Sequence, residues 1–344
     1  MRRSDEKTVT SPLIDADSPE TRRLSVAEAT ALGQRALERV GYSGEDARII
    51  VDQLIDNSLS GYRFAGLPRI LAIAGDDKTR QARAPVTLVH EGPNSALLDG
   101  GNTVGYIVAY KAAELAIDKA RKVGMASVGA YNSYYSGRNA YFVEQVVREG
   151  FVALHIASAK PRVLPPGGAR PALGTNPICF GFPSEEGPVI FDMGTAALMW
   201  GDVMLHEKLG LELPEGIGFD EEGRPTRDPA ATLRGGVGTF GGYKGYGLSF
   251  AVQALGLLAG AALARGEVQD YGFLFWVLDP DIMLPGGDFR KQMSELVRKI
   301  KATPRQPGVD EIRIPSERAQ RERERRRREG ILVDRAVIDA LEAL

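Results

Sequence analysis

Cysteine and histidine are almost absent from this chain of 344 residues. The one cysteine, Cys179, excludes an intrachain disulfide framework and a multi-cysteine zinc site. His90, His155 and His206 are the only histidines and show no HExxH or clustered spacing, so no metal centre is expected. Long hydrophobic runs are missing too. No stretch of about twenty uncharged apolar residues exists, and the longest apolar run, near Leu248 to Ala264, is short and glycine-rich. No membrane span is expected. The opening MRRSDEKTVTSPLIDADSPE has no apolar core of a signal peptide, which makes a cytoplasmic location the expectation. Neither sign of charge dominates: the net charge of -2 gives no global reason to bind nucleic acid. A GxSxG elbow and internal repeats are also lacking.

What is present reads as a globular α/β chain large enough for more than one lobe. Residues 1–22 are polar and are expected to form a mobile tail. Ser25 can cap a helix closed by Gly41, and a second helix runs from about Glu45 to near Gly61. VTLVHEGPNSALLDGG suggests a hairpin, followed by an alanine-rich helix from about Val104 to Val123. ASVGAY, FVALHIAS, NPICFGFP, PVIFDM and FLFWVLDP are strand candidates between Gly and Pro clusters. GLSFAVQALGLLAGAALA is apolar nearly all round and is predicted to be a buried helix. A helix from about Asp288 to Lys301 and a short amphipathic helix over ILVDRAVIDALEAL complete the pattern.

Several motifs invite a bland reading. Gly236, Gly238 and Gly241 match GxGxxG, yet the residues before them are not strand-like and no acidic residue follows about twenty positions on, as a dinucleotide fingerprint requires. The arginine run Arg321 to Arg328 alternates with Glu322, Glu324 and Glu329, which predicts a solvated helix face. His155 lies in an apolar strand and reads as a core residue. GGYKGYG, directly before an apolar helix, offers backbone amides and one lysine to an anion such as a pyrophosphate.

Taken in order, LPPGGARPALGTNPICFGFP, FDMGTA, LPEGIGFDEEGRPTRDP, GGYKGYGL and IPSE make the chain resemble the malate/L-lactate dehydrogenase family, whose members include ureidoglycolate dehydrogenase, diketogulonate reductase and piperideine-2-carboxylate reductase. The resemblance runs from about Leu24 to the C-terminus. It implies a non-Rossmann α/β fold: a mixed, mostly antiparallel sheet domain over 91–284 for cofactor and substrate, and a helical lobe from both chain ends, 23–90 and 285–344. It also implies NADPH or NADH as cofactor and a homodimer. By motif, the cofactor would meet Asp192, Met193, Gly194, Thr195, Tyr243, Lys244, Ser316 and Glu317. Relatives read PGE where this chain has Pro315, Ser316 and Glu317.

The catalytic segment departs furthest. Relatives show GxxSHGxxR, whose histidine gives a proton to the developing alkoxide. Here Gly61, Gly66 and Arg69 fit, but Phe64 and Ala65 replace the serine and histidine. A slipped alignment would instead place Tyr62 at the histidine. Tyr135 aligns with a second family histidine, Asp192 is retained, and Asp202 stands where relatives tend to carry lysine. An iminium acceptor already holds its proton, so loss of the histidine shifts weight from ketone toward imine reduction. The expectation is NAD(P)H-dependent reduction of C=N or C=O beside a carboxylate-like group. Tyr135 would be donor or anchor, with plain pocket packing as its alternative, and Arg69 would be the carboxylate partner. Conventional 2-hydroxy acid oxidation using water or Tyr62, a binding module without redox activity, and a non-redox enzyme remain open.

Overall fold

The computed structural model describes residues 20–263 and 271–344, so residues 1–19 of the expected tail lie outside it. The chain runs β1 (Thr21–Leu24), α1 (Val26–Arg39), α2 (Gly44–Leu59), α3 (Arg69–Gly75), α4 (Asp77–Arg80), β2 (Thr87–Glu91), β3 (Ser95–Val104), α5 (Gly105–Val123), β4 (Met125–Tyr134), α6 (Asn139–Arg148), β5 (Val152–Ala157), β6 (Ile178–Phe182) and β7 (Val189–Met193). It continues through α7 (Trp200–Leu209), β8 (Gly218–Phe219), β9 (Pro225–Thr226), α8 (Pro229–Arg234), β10 (Gly236–Val237), α9 (Tyr243–Leu258), β11 (Phe273–Leu278), α10 (Asp288–Lys301), α11 (Glu317–Glu329), β12 (Ile331–Asp334) and α12 (Arg335–Ala343).

The central sheet has the order β2-β3-β4-β11-β5-β6-β7. Its β3–β4 pair is parallel, with α5 as the crossover, and the other pairs are antiparallel. Alternation along the strands covers both faces. Phe273, Phe275 and Val277 of β11 meet the alanines of α5 and Phe142, Val143 and Val146 of α6. Leu274 points the other way, toward Ile156, Ile178 and Val252. His155 sits within this core, stacked 3.8 Å from Phe275 with Nδ1 donating to the Leu274 carbonyl at 3.0 Å. Burial drives its pKa down to about 3, so it stays neutral.

The two chain ends share one core. Ser25 caps α1 through a reciprocal pair with Glu28, at 3.2 and 2.7 Å. Leu32, Ile50 and Leu54 pack with Ile331, Val333, Ile338 and Leu341. Here ILVD departs from the expected helix: its β-branched residues form β12 and pair antiparallel with β1. Among the described residues, no helix is long and apolar enough to cross a membrane.

Two further expectations are corrected. Helix α9 is not buried all round. Gly245, Ser249, Val252 and Gly256 form the face against the protein, while Phe250, Leu257 and Leu258 are 62%, 55% and 65% exposed. Small residues let one side of α9 approach closely (a Cβ at Gly256 would come 2.2 Å from Ser158 Oγ), and Leu248 and Leu255 are partly buried beside that face. The arginine run is likewise not wholly solvated. Arg323 is buried and reaches Glu144 at 2.7 and 2.8 Å and Asp56 at 2.9 Å. Arg326, also buried, donates to Glu322 at 3.0 Å and to the Ser58 carbonyl at 2.9 Å. This face of α11 is wedged between α2 and α6, where a charge must be paired.

Candidate active site

Helix α6 sets one side of the site. The chain leaves β4 at Tyr134 and turns at 135–138, where buried Gln53 of α2 donates to the carbonyls of Ser136 (2.9 Å) and Arg138 (3.2 Å). Asp192, at the end of β7, accepts from the Ala140 amide at 2.8 Å and so caps α6 from outside. Burial pushes its carboxyl pKa up, while that amide and nearby Arg138 pull it down.

Tyr62, Asp192 and Ser316 are brought together around a cavity of ≈ 140 Å³, with Arg138, Phe191, Pro315 and Arg318. Tyr62 lies between two guanidinium groups, 5.2 Å from Arg138 and 5.1 Å from Arg318. Arg138 is held from below by Asp56 and by Asn57 at 2.9 Å. Ser316 has φ 68°, the left-handed region that glycine in the family's PGE would adopt freely. Its hydroxyl donates to the Ile190 carbonyl at 2.7 Å, tying the turn to β7. Ser316→Ala should therefore keep the backbone strain and lose the bond. Ser316→Gly should lose both, leaving the glycine variant the more stable by about 1 kcal/mol in urea denaturation. Glu317 turns away from the cavity: it pairs with Lys301 and Arg321 and accepts from the Ile314 amide at 3.1 Å.

Beyond Asp192, the strand end runs between two loops. Thr195 donates from its amide and hydroxyl to the Thr175 carbonyl at 2.9 and 3.2 Å, and Phe240 donates to the Thr195 carbonyl at 3.1 Å. Met193, Gly194 and Thr195 thus sit beside the glycine loop that opens α9. Open space faces Gly241 and Gly242, and Tyr243 and Lys244 are exposed at the helix start. The GTNP turn supports this loop: Asn176, itself at φ 39°, donates to the Ser249 carbonyl and to Gln253, both at 3.0 Å.

Arg69 and Tyr135 meet in a second nest, on the other side of the 135–138 turn. The Arg69 guanidinium lies 4.8 Å over the Tyr135 ring and 5.8 Å over Phe64. Tyr106 and Tyr134 stand edge-on to Tyr135 at 6.5 and 5.2 Å. The Tyr135 hydroxyl is buried and makes no hydrogen bond among the described residues, and the buried Tyr106 hydroxyl lies against the Arg69 guanidinium. Burial pushes the Tyr135 phenol well above its usual value, against the pull of Arg69. No carboxylate pairs with Arg69 among the described residues. Tyr106, Tyr271, Arg138 and Arg318 were not singled out from the sequence. Their neighbours come from distant segments, although Arg138 lies three positions after Tyr135 and Arg318 directly follows IPSE.

The family model for malate/L-lactate dehydrogenase matches residues 24–342. The chain belongs to this family. It is 32% identical over 330 residues to L-sulfolactate dehydrogenase of Methanothermobacter thermautotrophicus, covering 93% of this chain and 95% of that one. It is 33% identical over 342 residues to a Delta(1)-pyrroline-2-carboxylate/Delta(1)-piperideine-2-carboxylate reductase of Pseudomonas putida, covering 94% and 96%. The solved malate dehydrogenase of Pyrococcus horikoshii superposes with a TM-score of 0.83 at 26% identity, covering 95% of each chain. The protein is an oxidoreductase of carboxylate-bearing substrates, and its family's chemistry uses a nicotinamide cofactor.

Proposed function

We propose that this family member uses NADH or NADPH to reduce a C=N or C=O bond beside a carboxylate held by Arg69. The observation that carries the reading is the Arg69 nest: a guanidinium walled by aromatic rings, with the unpartnered Tyr135 hydroxyl beside it and, among the described residues, no carboxylate paired with it. Removing such a charge from water is costly unless an anion joins it.

The cofactor fits the neighbouring surface. Open space before Gly241 and Gly242, the α9 N-terminus and Lys244 suit a pyrophosphate. Asp192, Met193, Gly194 and Thr195 would line its course, and the cavity at Tyr62, Ser316, Arg138 and Arg318 would take a further part of it. Glu317 then acts at one remove, by fixing the turn that carries Ser316. When bound, the nicotinamide supplies a hydride. What the chain supplies is orientation: Arg69 aligns the carboxylate, and Tyr135 holds the acceptor's polar atom without acting as an acid at neutral pH. Asp192 fixes the start of α6 and, through it, the 135–138 turn. Iminium reduction suits such a site, because the acceptor carries its own proton; a ketone would draw its proton from water or Tyr62. A homodimer belongs to the same reading, with the uncovered face of α9 available to a second copy.

Fluorescence titration with NADPH and NADH tests the proposal first, followed by cofactor oxidation with cyclic imines and 2-oxo acids. Saturable binding of one nucleotide with turnover of either acceptor supports it; failure to bind both, in folded protein, defeats it. Tyr135→Phe should lower kcat/KM about 10-fold through one lost hydrogen bond, with the pH profile unchanged. Undiminished turnover in that variant would remove Tyr135 from the site.

A further inference from the structure

Three helices wall the cavity at Tyr62, Asp192 and Ser316, and one buried guanidinium joins all three. Ala140 lines the cavity from α6, Ser316 and Ala319 from the start of α11, and Tyr62 from the turn after α2. One turn further along each of two helices, about 6 Å away, stand Glu144 beneath Ala140 and Arg323 beneath Ala319. Arg323 donates to Glu144 at 2.7 and 2.8 Å, and its Nε lies 2.9 Å from Asp56 of α2. Asp56 also holds Arg138, a cavity residue whose Nε donates to Asn57 at 2.9 Å. Arg148 pairs with Glu144 from the surface, and Arg326 anchors α11 again at the Ser58 carbonyl of α2. Toward β7, α11 is held by neutral groups: Ser316 donates to the Ile190 carbonyl and Gln320 to the Pro188 carbonyl, at 2.7 and 3.0 Å. The buried residues of α11 are Ala319, Arg323 and Arg326. Charge, rather than an apolar stripe, therefore sets where this helix sits.

We infer that Arg323 is a positioning residue for nucleotide binding: it keeps α2, α6 and α11 in register and so fixes the width of the cavity. The inference rests on the reading of that cavity as part of the nucleotide site, and it adds how the walls are held. A guanidinium suits the task because its planar fork meets two carboxylates on different helices at once. An ammonium is a point charge without that fork. Without Arg323, Glu144 and Asp56 face each other with one cation fewer, and α11 has little apolar area to hold it in place.

Two substitutions separate positioning from stability. Arg323→Met should lower both the urea midpoint and nucleotide affinity, because it leaves buried carboxylates short of a partner. Adding Glu144→Gln removes the excess charge and leaves Asp56 paired with Arg138. In that double variant the urea midpoint should return toward the parent's. Its Kd for NADPH or NADH, read by fluorescence titration, should stay about 10-fold raised. KM for the nucleotide should rise more than kcat falls, and Arg323→Lys should keep part of the affinity. Hydrogen exchange reads the walls without nucleotide. In the double variant the amides of Ala140 and Gln320, bonded to Asp192 and to the Ser316 carbonyl, should exchange faster, with those of α5 unchanged. Affinity that recovers together with stability overturns the proposal, as does exchange that is unchanged at these amides or raised evenly along the chain. A parent that bound neither nucleotide would instead defeat the functional reading, and exchange would still decide whether Arg323 holds the walls.

Discussion

Replacing Arg69 with methionine should lower kcat/KM for carboxylate-bearing substrates by about 2–5 kcal/mol, roughly 30-fold to several thousand-fold. The estimate is that of truncating one partner of a desolvated charge pair. Around Arg69 the walls are Tyr135 at 4.8 Å and Phe64 at 5.8 Å, with Tyr106 fully buried nearby. In such surroundings a substrate carboxylate has few other donors, and methionine offers none. Arg69→Lys should recover only part of the loss, because an ammonium cannot form the planar two-point contact. Steady-state assays of cofactor oxidation read the result, with the loss expected in both KM and kcat since the carboxylate orients as well as binds. An Arg69→Met enzyme with wild-type kinetics would place the carboxylate elsewhere.

Local signals carried much of the fold. The Ser25–Glu28 capping box starts α1 where the sequence predicts it, and α10 spans the expected Asp288–Lys301. The strands were legible because glycine and proline punctuate them and their apolar residues run on, as strands covered on both faces must. What failed was information held between distant segments. ILVD looks helical beside DRAVIDALEAL, and only pairing with Thr21–Leu24 makes it a strand. Arginine and glutamate at helical spacing look alike on a solvated or a buried face. Arg323 is buried because Glu144 of α6 and Asp56 of α2 converge on it. The apolar sequence of α9 predicts burial, because composition cannot say whether its covering lies in the same chain.

The candidate site divides along the same line. Asp192 and Ser316 were legible as motif members, and the cavity they share with Tyr62 is a matter of long-range geometry. Tyr106 and Tyr134 belong to no motif. They matter through juxtaposition with Tyr135 and Arg69, which depends on how α3, α5 and β4 come together. The Phe64–Ala65 substitution was visible in sequence. Its counterpart was not: Gly201 of α7 leaves the room that the Phe64 ring fills.

That substitution can be reversed. Phe64→Ser with Ala65→His should raise ketone reduction by about 10²–10⁴-fold, the usual contribution of a positioned proton donor. The turn is already fixed to receive it: Asn57 donates to the Ala65 carbonyl at 3.0 Å, and the Ala65 amide donates to the Tyr62 carbonyl at 3.1 Å. A histidine at 65 must be protonated to give a proton to the alkoxide. The gained rate should therefore be full below the imidazole pKa, about 6.5 when unperturbed, and fall as pH rises through it. The parent should lack that inflection, because burial holds the phenol of Tyr135 far above neutrality. Phe64→Ser alone serves as the control, since it empties the space beside Gly201 without adding a donor. An iminium acceptor should gain nothing from the histidine, so the ratio of ketone to imine turnover is the quantity to measure. A rise confined to ketones would show that proton supply limits the parent enzyme. Equal rates for both acceptors before and after the change would mean that it does not.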